Sequence, residues 1–329
     1  MKPYVYITRK LPDALVNPLK EKYNVHMWKH DDIPVPRDIL MEEAKKADAL
    51  FTVLADSIDE SVLTEGKNLK VVANLAVGFN NIDLKTASEK GIAICNTPDV
   101  LTDTTADLTF GLLMAAARRI VEAAEFVKEG KWQAWSPFLL AGQDIHHKTL
   151  GIVGMGRIGE TVAKRATGFD MNILYFNRTR KPEAEEQLGV TYASFDDLVK
   201  QSDYIICLTP LTPETSNMFS REVFQKMKQS AIFINAARGA VVDEQALYEA
   251  LMAGEIAGAG LDVFQKEPIP ADHPLLKLPN VVALPHIGSS STETRTAMVQ
   301  LCVQNIMSIL DGKEPKTLVN KDWRPLVKG

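Results

Sequence analysis

Three polar residues with complementary chemistry follow apolar segments in the second half of the chain. Arg238 lies in INAARGAVVDE, Glu267 in LDVFQKEP and His286 in VVALPHIGSSS. A histidine can donate a proton near neutral pH, a carboxylate beside it stabilises the imidazolium and orients the ring, and an arginine binds a carboxylate or polarises a carbonyl. Together the three indicate hydride transfer to the ketone of a 2-keto acid. Taken singly, they are also consistent with a surface arginine, a solvated loop glutamate and a hydrogen-bonded loop histidine.

A glycine-rich turn upstream offers a site for the hydride donor. Gly154, Gly156 and Gly159 form the pattern G-x-G-x-x-G, with a predicted strand at residues 150–153 before it and a predicted helix from Glu160 after it. In a dinucleotide-binding turn the first glycine permits a tight bend, the second lets the pyrophosphate approach, and the third lets helix and strand pack closely. The phosphates then lie at the helix N-terminus. The alternative is a plain glycine-rich turn.

The residues after the next apolar segment predict the coenzyme. The run ILYF is followed by Asn177, Arg178, Thr179 and Arg180. An acidic residue here would accept hydrogen bonds from the ribose 2′-OH of NAD, whereas an arginine accommodates the 2′-phosphate of NADP. We therefore expect NADP(H) to be preferred, with NAD(H) possible. The alternative is two solvated arginines at the end of a strand.

Short apolar runs alternate with segments of helical length along the whole chain, which predicts an α/β fold. The predicted strands are YVYIT, ALFTVL, KVVANLAVG and GIAICN before residue 100, and LGIV, MNILYF, YIICLTP, AIFINAA, AGAGLDVF and VVALPH after it. One long helix is predicted from Thr105 to Gly130. Apolar strands that alternate with helices indicate parallel sheets buried on both faces. We predict two such units. The first runs to about residue 98, and the second starts near residue 99.

Composition bounds the possible partners and the compartment. A length of 329 residues suggests two domains, and a net charge of −5 gives no basic excess for nucleic acid. No run of about 18 apolar residues predicts a membrane span. The start, MKPYVYITRKLP, lacks the apolar core of a signal peptide, and three scattered cysteines fit buried thiols, so a cytoplasmic protein is expected. The adjacent His146 and His147 do not suggest a metal site, and none is expected.

Six segments, in order, resemble the D-isomer-specific 2-hydroxyacid dehydrogenase family, most closely its glyoxylate/hydroxypyruvate reductase branch. They are NLAVGFNNID, NTPDVLTDTTADLTFGLLMAAARR, GIVGMGRIGETVAKR, INAARGAVVDEQAL, AGLDVFQKEP and LPNVVALPHIGSSSTETR, and they span nearly the full length. The resemblance implies two Rossmann-like or flavodoxin-like domains with an active site in the cleft between them. Residues 1–98, rejoined by 287–329, would be the substrate domain, and residues 99–286 the NAD(P)-binding domain.

The resemblance also implies site residues. Arg238, Glu267 and His286 would be the catalytic set, with His286 as proton donor and Glu267 as its partner. The implied substrate-binding residues are the backbone N–H groups of Val77 and Gly78, with Arg238, His286, Ser289 and Trp135. The implied cofactor-binding residues are Thr105 (expected to open the long helix), Gly154, Met155, Gly156, Arg157, Ile158, Gly159, Asn177, Arg178, Thr179, Arg180, Thr209, Pro210, Ala236, Ala237, Asp262 and Gly288.

The segment KWQAWSPFLLAG contains two tryptophans outside the predicted elements. One interpretation is that they pack in the core. The other, implied by the resemblance, is a dimerisation arm from which Trp135 reaches the substrate pocket of the partner subunit in a homodimer.

The reaction expected from the resemblance is NADPH-dependent reduction of glyoxylate or hydroxypyruvate to glycolate or D-glycerate. Three alternatives stay open at the level of sequence. The first is another small 2-keto acid such as 2-ketogluconate. The second is a non-enzymatic NAD(H)-sensing module similar to certain transcriptional corepressors. The third is a formate or phosphoglycerate dehydrogenase, which the missing insertions and regulatory domain disfavour.

Overall fold

The chain divides into two compact units in the computed structural model, which describes residues 2–323. The first unit contains residues up to Leu101 and those from Ser291 onward, and the second contains Thr102–Ser290. The boundaries predicted from sequence, 98/99 and 286/287, fall near these positions. The assignment of substrate to the first unit and coenzyme to the second stays a prediction.

The first unit is built from alternating strands and helices around a five-stranded parallel sheet. Its elements are β1 (Tyr4–Ile7), α1 (Asp13–Lys22), β2 (Asn24–Met27), α2 (Arg37–Lys46), β3 (Ala49–Thr52), α3 (Glu60–Glu65), β4 (Val71–Asn74), α4 (Leu84–Glu89) and β5 (Ala93–Cys95). The strand order is β2-β1-β3-β4-β5. The residues of β3, β4 and β5 are all buried, as continuous apolar runs predict.

The second unit contains a seven-stranded parallel sheet. Its elements are α5 (Thr102–Ala117), α6 (Ile120–Lys128), β6 (Thr149–Val153), α7 (Arg157–Thr167), β7 (Asn172–Phe176), α8 (Pro182–Leu188), β8 (Thr191–Tyr192), α9 (Phe195–Gln201), β9 (Tyr204–Cys207), α10 (Arg221–Phe224), β10 (Ile232–Asn235), α11 (Glu244–Ala253), β11 (Gly258–Leu261) and β12 (Val281–Ala283), with 3-10 turns at Gly239–Val241 and Pro274–Lys277. The strand order is β12-β11-β10-β9-β6-β7-β8. The two sheets confirm the predicted α/β fold class.

The last helix, α12 (Thr292–Leu310), belongs to the first unit. Its start is set by Ser291, whose hydroxyl accepts a hydrogen bond from the N–H of Thr294 at 3.1 Å. The helix packs on α1 and on β3, β4 and β5, and nine of its side chains are buried there. The chain then continues along β5, where the N–H of Val319 donates to the carbonyl of Ile94 at 2.8 Å.

Two predictions about the elements were wrong. The single helix expected from Thr105 to Gly130 is two helices, α5 and α6, and α5 begins at Thr102. The break lies at Arg119, whose φ of 53° is left-handed and cannot continue a right-handed helix. The short edge strands β2 and β8 were also missed, because their sequences, NVHM and TY, alternate in burial or are exposed and so lack an apolar run.

No helix within residues 2–323 is both long enough and apolar enough to cross a membrane. All three cysteines are buried, as predicted. Burial raises the pKa of the Cys95 and Cys207 thiols to about 12, so both are neutral thiols at physiological pH.

Candidate active site

The glycine-rich turn joins β6 to α7 in the geometry that a dinucleotide site requires. Gly154 has a φ of +106°, and a Cβ added there would lie 2.7 Å from the backbone after β9. A Cβ on Gly159 would lie 2.3 Å from the carbonyl oxygen of Gly154, so helix and strand meet too closely for a side chain. The helix begins at Arg157, three residues before the predicted Glu160, so Gly159 lies inside its first turn.

The N-terminus of α7 has room for an anion. Gly156 is the N-cap residue, no side chain caps the helix, and a Cβ on Gly156 would meet no atom within 4 Å. The first N–H groups of a helix have no partner in the helix itself, and they favour a negative charge. The turn therefore fits the phosphates of a dinucleotide coenzyme, with Met155 buried beneath it and Ile158 partly buried beside it.

The other predicted coenzyme residues lie at the carboxyl ends of neighbouring strands. Thr209 and Pro210 follow β9, Ala236 and Ala237 follow β10, Asp262 follows β11, and Gly288 follows β12. Thr105 lies one turn into α5 rather than at its start, because the helix begins at Thr102. Its methyl group would be 3.3 Å from a Cβ on Gly288, so the structure brings these two residues together.

The two arginines after β7 differ in their surroundings. Arg180 forms a forked ion pair with Glu185, with Nε–Oε1 and Nη2–Oε2 distances of 2.8 and 2.7 Å. The Tyr175 hydroxyl also donates to Glu185 at 2.7 Å, and the bond from Arg180, with that from Tyr175, lowers the pKa of Glu185 to about 2. Arg178 is exposed and has no hydrogen bond or ion pair to any residue that the structure describes.

Asn177, the first residue after β7, forms hydrogen bonds to two backbone segments. Its Oδ1 accepts a hydrogen bond from the N–H of Met155 at 3.3 Å, and its Nδ2 donates to the carbonyl of Thr179 at 2.8 Å. Asn177 therefore links the glycine-rich turn to the segment that carries Arg178. No sequence pattern predicted that Glu185 would form an ion pair with one of the two arginines.

Glu267 and His286 form a hydrogen-bonded pair. His286 Nδ1 lies 2.6 Å from Glu267 Oε2, while Glu267 Oε1 accepts the N–H of Phe264 at 2.9 Å. Burial acts to raise the pKa of Glu267, but the His286 bond, the Phe264 N–H and the charge of Arg238 outweigh it, so the pKa is lowered. Glu267 is therefore a carboxylate at neutral pH, and a carboxylate can only accept, so His286 Nδ1 carries the donated hydrogen.

Asp262 holds the backbone beside His286. Its two carboxylate oxygens accept the N–H groups of Ile287 and Gly288 at 2.7 and 2.8 Å. His286 has a φ of +55°, a left-handed conformation that few residues other than glycine adopt, and these two bonds fix the chain immediately after it. Burial raises the pKa of Asp262, which is only 1% exposed.

Arg238 lies on the next strand end, near Glu267. Its Nη1 donates to the carbonyl of Ala237 at 2.6 Å. Burial lowers the pKa of Arg238, and the negative charge of Glu267 acts in the opposite direction. An arginine stays protonated in proteins, so a half-buried cation lies beside the histidine–carboxylate pair. The structure thus brings Arg238, Glu267 and His286 together within the second unit.

In the first unit, the loop after β4 presents backbone N–H groups. The carbonyl oxygens of Ala76, Val77 and Gly78 accept hydrogen bonds from Thr97 N–H, Asn96 Nδ2 and Asn74 Nδ2 at 2.9, 2.8 and 3.1 Å. The N–H groups of Val77 and Gly78 have no partner among the described residues. Such unpaired donors fit an anion such as a carboxylate.

Ser289 and Trp135 lie in different settings. Ser289 is partly buried in the turn after His286, where the N–H of Ser290 donates to Ile287 at 2.8 Å. Trp135 is 79% exposed in the segment after α6, and Trp132 is 57% exposed. The interpretation that these tryptophans pack in the core was therefore wrong.

Comparisons with known proteins show which sequences this chain is similar to. A sequence model described as "D-isomer specific 2-hydroxyacid dehydrogenase, NAD binding domain" matches residues 110–288. A glyoxylate reductase from Korarchaeum cryptofilum is 48% identical over 323 residues, which cover 98% of this chain and 97% of that protein.

Solved structures are similar over the same length. A crystal structure of a Thermus thermophilus protein has a TM-score of 0.91 and 45% identity, and the match covers 96% of this chain and 99% of that one. A glyoxylate/hydroxypyruvate reductase from Sinorhizobium meliloti, described as NADPH-dependent and solved with NADP and malonate, has a TM-score of 0.87 and 32% identity. That match covers 99% of this chain and all of the other.

The Glu267–His286 pair predicts a pH dependence of stability. Because the pKa of Glu267 is lowered from 4.5, its contribution is fully present above pH 4.5 and is lost as the pH falls through the lowered value. We expect Glu267→Gln to lower the apparent melting temperature by roughly 2–4 °C at neutral pH, and the difference from the wild type to shrink in acid. Glu186→Gln, at an exposed position, is the control. A difference that stays constant between neutral and acidic pH would contradict the prediction.

Proposed function

The chain belongs to the D-isomer specific 2-hydroxyacid dehydrogenase family, and from this membership we propose that it reduces glyoxylate or hydroxypyruvate with NADPH to glycolate or D-glycerate. The NAD binding domain of the family supports a nicotinamide coenzyme. The observation that carries the proposal is the His286–Glu267 hydrogen bond of 2.6 Å at the sheet edge that also holds the glycine-rich turn. The names of the glyoxylate reductase relatives support the substrate.

His286 is the proton donor in the proposed reaction. The coenzyme, when bound, supplies the hydride to the ketone carbon, and negative charge then develops on the ketone oxygen. Because Nδ1 is bonded to Glu267, the Nε2–H of the imidazolium is the group that protonates this oxygen. The Glu267 carboxylate orients the ring and stabilises its positive charge before the transfer.

Arg238 and the loop after β4 bind the substrate in this proposal. The guanidinium of Arg238, adjacent to Glu267, holds the ketone oxygen or the carboxylate by charge-assisted hydrogen bonds. The N–H groups of Val77 and Gly78 bind the substrate carboxylate. The carbonyl of each of these two peptide units already accepts a hydrogen bond, from Thr97 N–H and from Asn96 Nδ2, so the N–H points away from that donor. Ser289 is proposed as a further contact.

Activity measurements test the reaction directly. We expect steady-state oxidation of NADPH with glyoxylate and hydroxypyruvate in a panel that includes 2-ketogluconate. His286→Asn should lose about 10²-fold or more in kcat, because the proton donor is removed. His146→Asn, an exposed histidine on a loop, is the matched control and should keep full activity.

The direction of the pH dependence is part of the same test. Reduction needs the imidazolium, so its rate should fall as the pH rises, whereas oxidation of the hydroxy acid should speed up. A flat reductive profile between about pH 6 and 10, with chemistry rate-limiting, would contradict the role of His286. A wild-type protein that reduces no keto acid with either coenzyme would overturn the proposed function and favour a binding module.

NADPH preference is proposed to depend on Arg178 rather than Arg180. The guanidinium of Arg180 is occupied by both oxygens of Glu185, whereas Arg178 is exposed at the strand end beside Thr179. A 2′-phosphate would have to compete with Glu185 for Arg180, but it meets no such competitor at Arg178. The hydrogen bonds from the Thr212 side chain and from the N–H of Glu214 itself lower the pKa of Glu214, and the charge of Arg178 contributes more weakly. Among the described residues, no ion pair joins Glu214 to Arg178.

The two arginines provide a matched pair of variants. We expect Arg178→Ala to reduce the ratio of kcat/KM for NADPH over NADH about tenfold or more, since a charged hydrogen bond to phosphate is lost. Arg180→Ala should change this NADPH/NADH ratio less, because the guanidinium of Arg180 is already paired with Glu185. A wild type that prefers NADH, or equal effects of the two substitutions, would refute this assignment.

A homodimer is proposed from an exposed apolar surface on α6 and the segment after it. None of the side chains of α6 is buried. The exposed apolar residues are Ile120, Val121, Val127, Trp132, Trp135, Phe138 and Leu139, with Phe138 84% exposed. Monomeric proteins rarely expose large apolar patches, and these seven residues lie within one stretch of 20 residues, so a second copy of the chain is the proposed partner.

Sedimentation tests the dimer. We expect the wild type to sediment as a dimer at micromolar concentration, and Phe138→Asp to shift it to a monomer because a charge would be buried in the interface. Met252→Asp is the control, since Met252 is 60% exposed on α11, outside that surface. A monomeric wild type at this concentration would rule the proposal out.

A further inference from the structure

Two asparagines hold the carbonyl oxygens of the loop after β4. Asn96 Nδ2 donates to the carbonyl of Val77 at 2.8 Å, and Asn74 Nδ2 donates to the carbonyl of Gly78 at 3.1 Å. The carbonyl of Ala76 is held separately by the N–H of Thr97 at 2.9 Å. Three consecutive peptide carbonyls are thus anchored to the first unit.

Anchored carbonyls fix the direction of the N–H groups. A trans peptide unit is planar, and its C=O and N–H point in opposite directions. When Asn96 holds the carbonyl of Val77, the N–H of Gly78 must face the other way; Asn74 does the same for the N–H of Phe79 through the carbonyl of Gly78. The N–H groups of Val77, Gly78 and Phe79 have no partner among the described residues, so the loop carries three consecutive unpaired donors.

Asn74 is itself held by Asn81. Asn74 lies at the end of β4 and is 0% exposed; its Oδ1 accepts the Thr52 hydroxyl at 3.0 Å, and its Nδ2 lies 3.2 Å from Asn81 Oδ1. Asn81 Nδ2 also donates to the carbonyl of Asp56 at 2.9 Å, and lies 3.3 Å from the carbonyl of Val53. The orientation of the Asn74 amide is therefore set by both of its neighbours.

Asp56, whose carbonyl accepts the hydrogen bond from Asn81, forms a buried ion pair with Arg9. Arg9 Nη1 lies 3.1 Å from Asp56 Oδ1, with side chains that are 10% and 2% exposed. The other oxygen of Asp56 accepts the N–H of Val53 at 2.9 Å. The two carbonyls that Asn81 contacts thus belong to a segment that cannot shift without breaking a buried pair.

We propose that Asn96 and Asn74 are positioning residues for the substrate carboxylate, and that the N–H of Phe79 is a third donor beside those of Val77 and Gly78. Without these side-chain amides, the peptide units could rotate and present carbonyl oxygens, which would repel the carboxylate. The inference rests on the proposed function, in which this loop binds a 2-keto acid.

Asn96 is the position at which to test it, because its side chain is only partly buried. In Asn96→Asp the side chain keeps its size but loses the N–H donor, and Asn96→Ala removes it. Both should raise KM for glyoxylate about tenfold or more, because ground-state binding of a charged group is weakened. The kcat should change much less, and KM for NADPH should stay unchanged.

Asn68→Ala and Asn68→Asp are the matched controls. Asn68 is exposed and precedes β4, at the opposite end of that strand from Asn74, so both variants should keep the wild-type KM. Asn81→Ala is a second variant, which removes the support of Asn74 and should also raise KM. It keeps the inference testable if the Asn96 variants fail to fold, as judged by thermal melting.

Binding of oxamate, a non-reducible 2-keto acid analogue, separates this inference from the proposed reaction. In amide NMR spectra of the full chain with NADP bound, oxamate should shift the signals of Val77, Gly78 and Phe79, and the Asn96 variants should bind it about tenfold more weakly.

Each outcome decides one of the two proposals. An unchanged KM and oxamate affinity in folded Asn96 variants would overturn the positioning role, whereas an unshifted Phe79 signal would remove the third donor. If the wild type turns over no keto acid but the oxamate shifts appear and weaken as expected, only the proposed reaction fails. If oxamate shifts none of the three signals, the positioning inference fails as well.

Discussion

Parallel pairing in the seven-stranded sheet is the constraint on which the candidate site depends. Every strand of that sheet runs in the same direction, so the segments after β6, β9, β10, β11 and β12 all leave from one edge. The glycine-rich turn, Arg238, Asp262 and His286 lie on those segments. Residues that are far apart in sequence therefore lie at the same edge of the sheet, because the parallel strands that precede them all end there.

The two units hold the loops after two of their strands in a similar way. Each has a strand whose last residue is a buried asparagine, Asn74 in β4 and Asn235 in β10. Asn74 holds the carbonyl of Gly78, while Asn235 accepts the N–H of Ala237 at 3.0 Å and donates to the carbonyl of Arg238 at 3.1 Å. A side-chain amide can both donate and accept hydrogen bonds. It can therefore bond the backbone groups that follow the strand and set the direction in which the chain leaves the sheet.

Several features could be predicted because the cause is local. Continuous apolar runs predicted the central strands, and the pattern G-x-G-x-x-G between a strand and a helix predicted the turn at Gly154. Other features depend on residues that no local pattern connects. The break at Arg119, the edge strands β2 and β8, and the exposure of Trp135 follow from where the chain packs, which apolar periodicity does not report.

The sequence by itself determined the α/β class and the residue types at the strand ends, because burial on both faces of a sheet requires apolar runs and catalysis requires particular functional groups. Only the tertiary structure decided which groups are engaged. It paired His286 with Glu267, committed Arg180 to Glu185, and turned the carbonyls of the loop after β4 toward asparagines. Hydrogen bonds depend on distances of about 3 Å, and sequence separation says nothing about such distances.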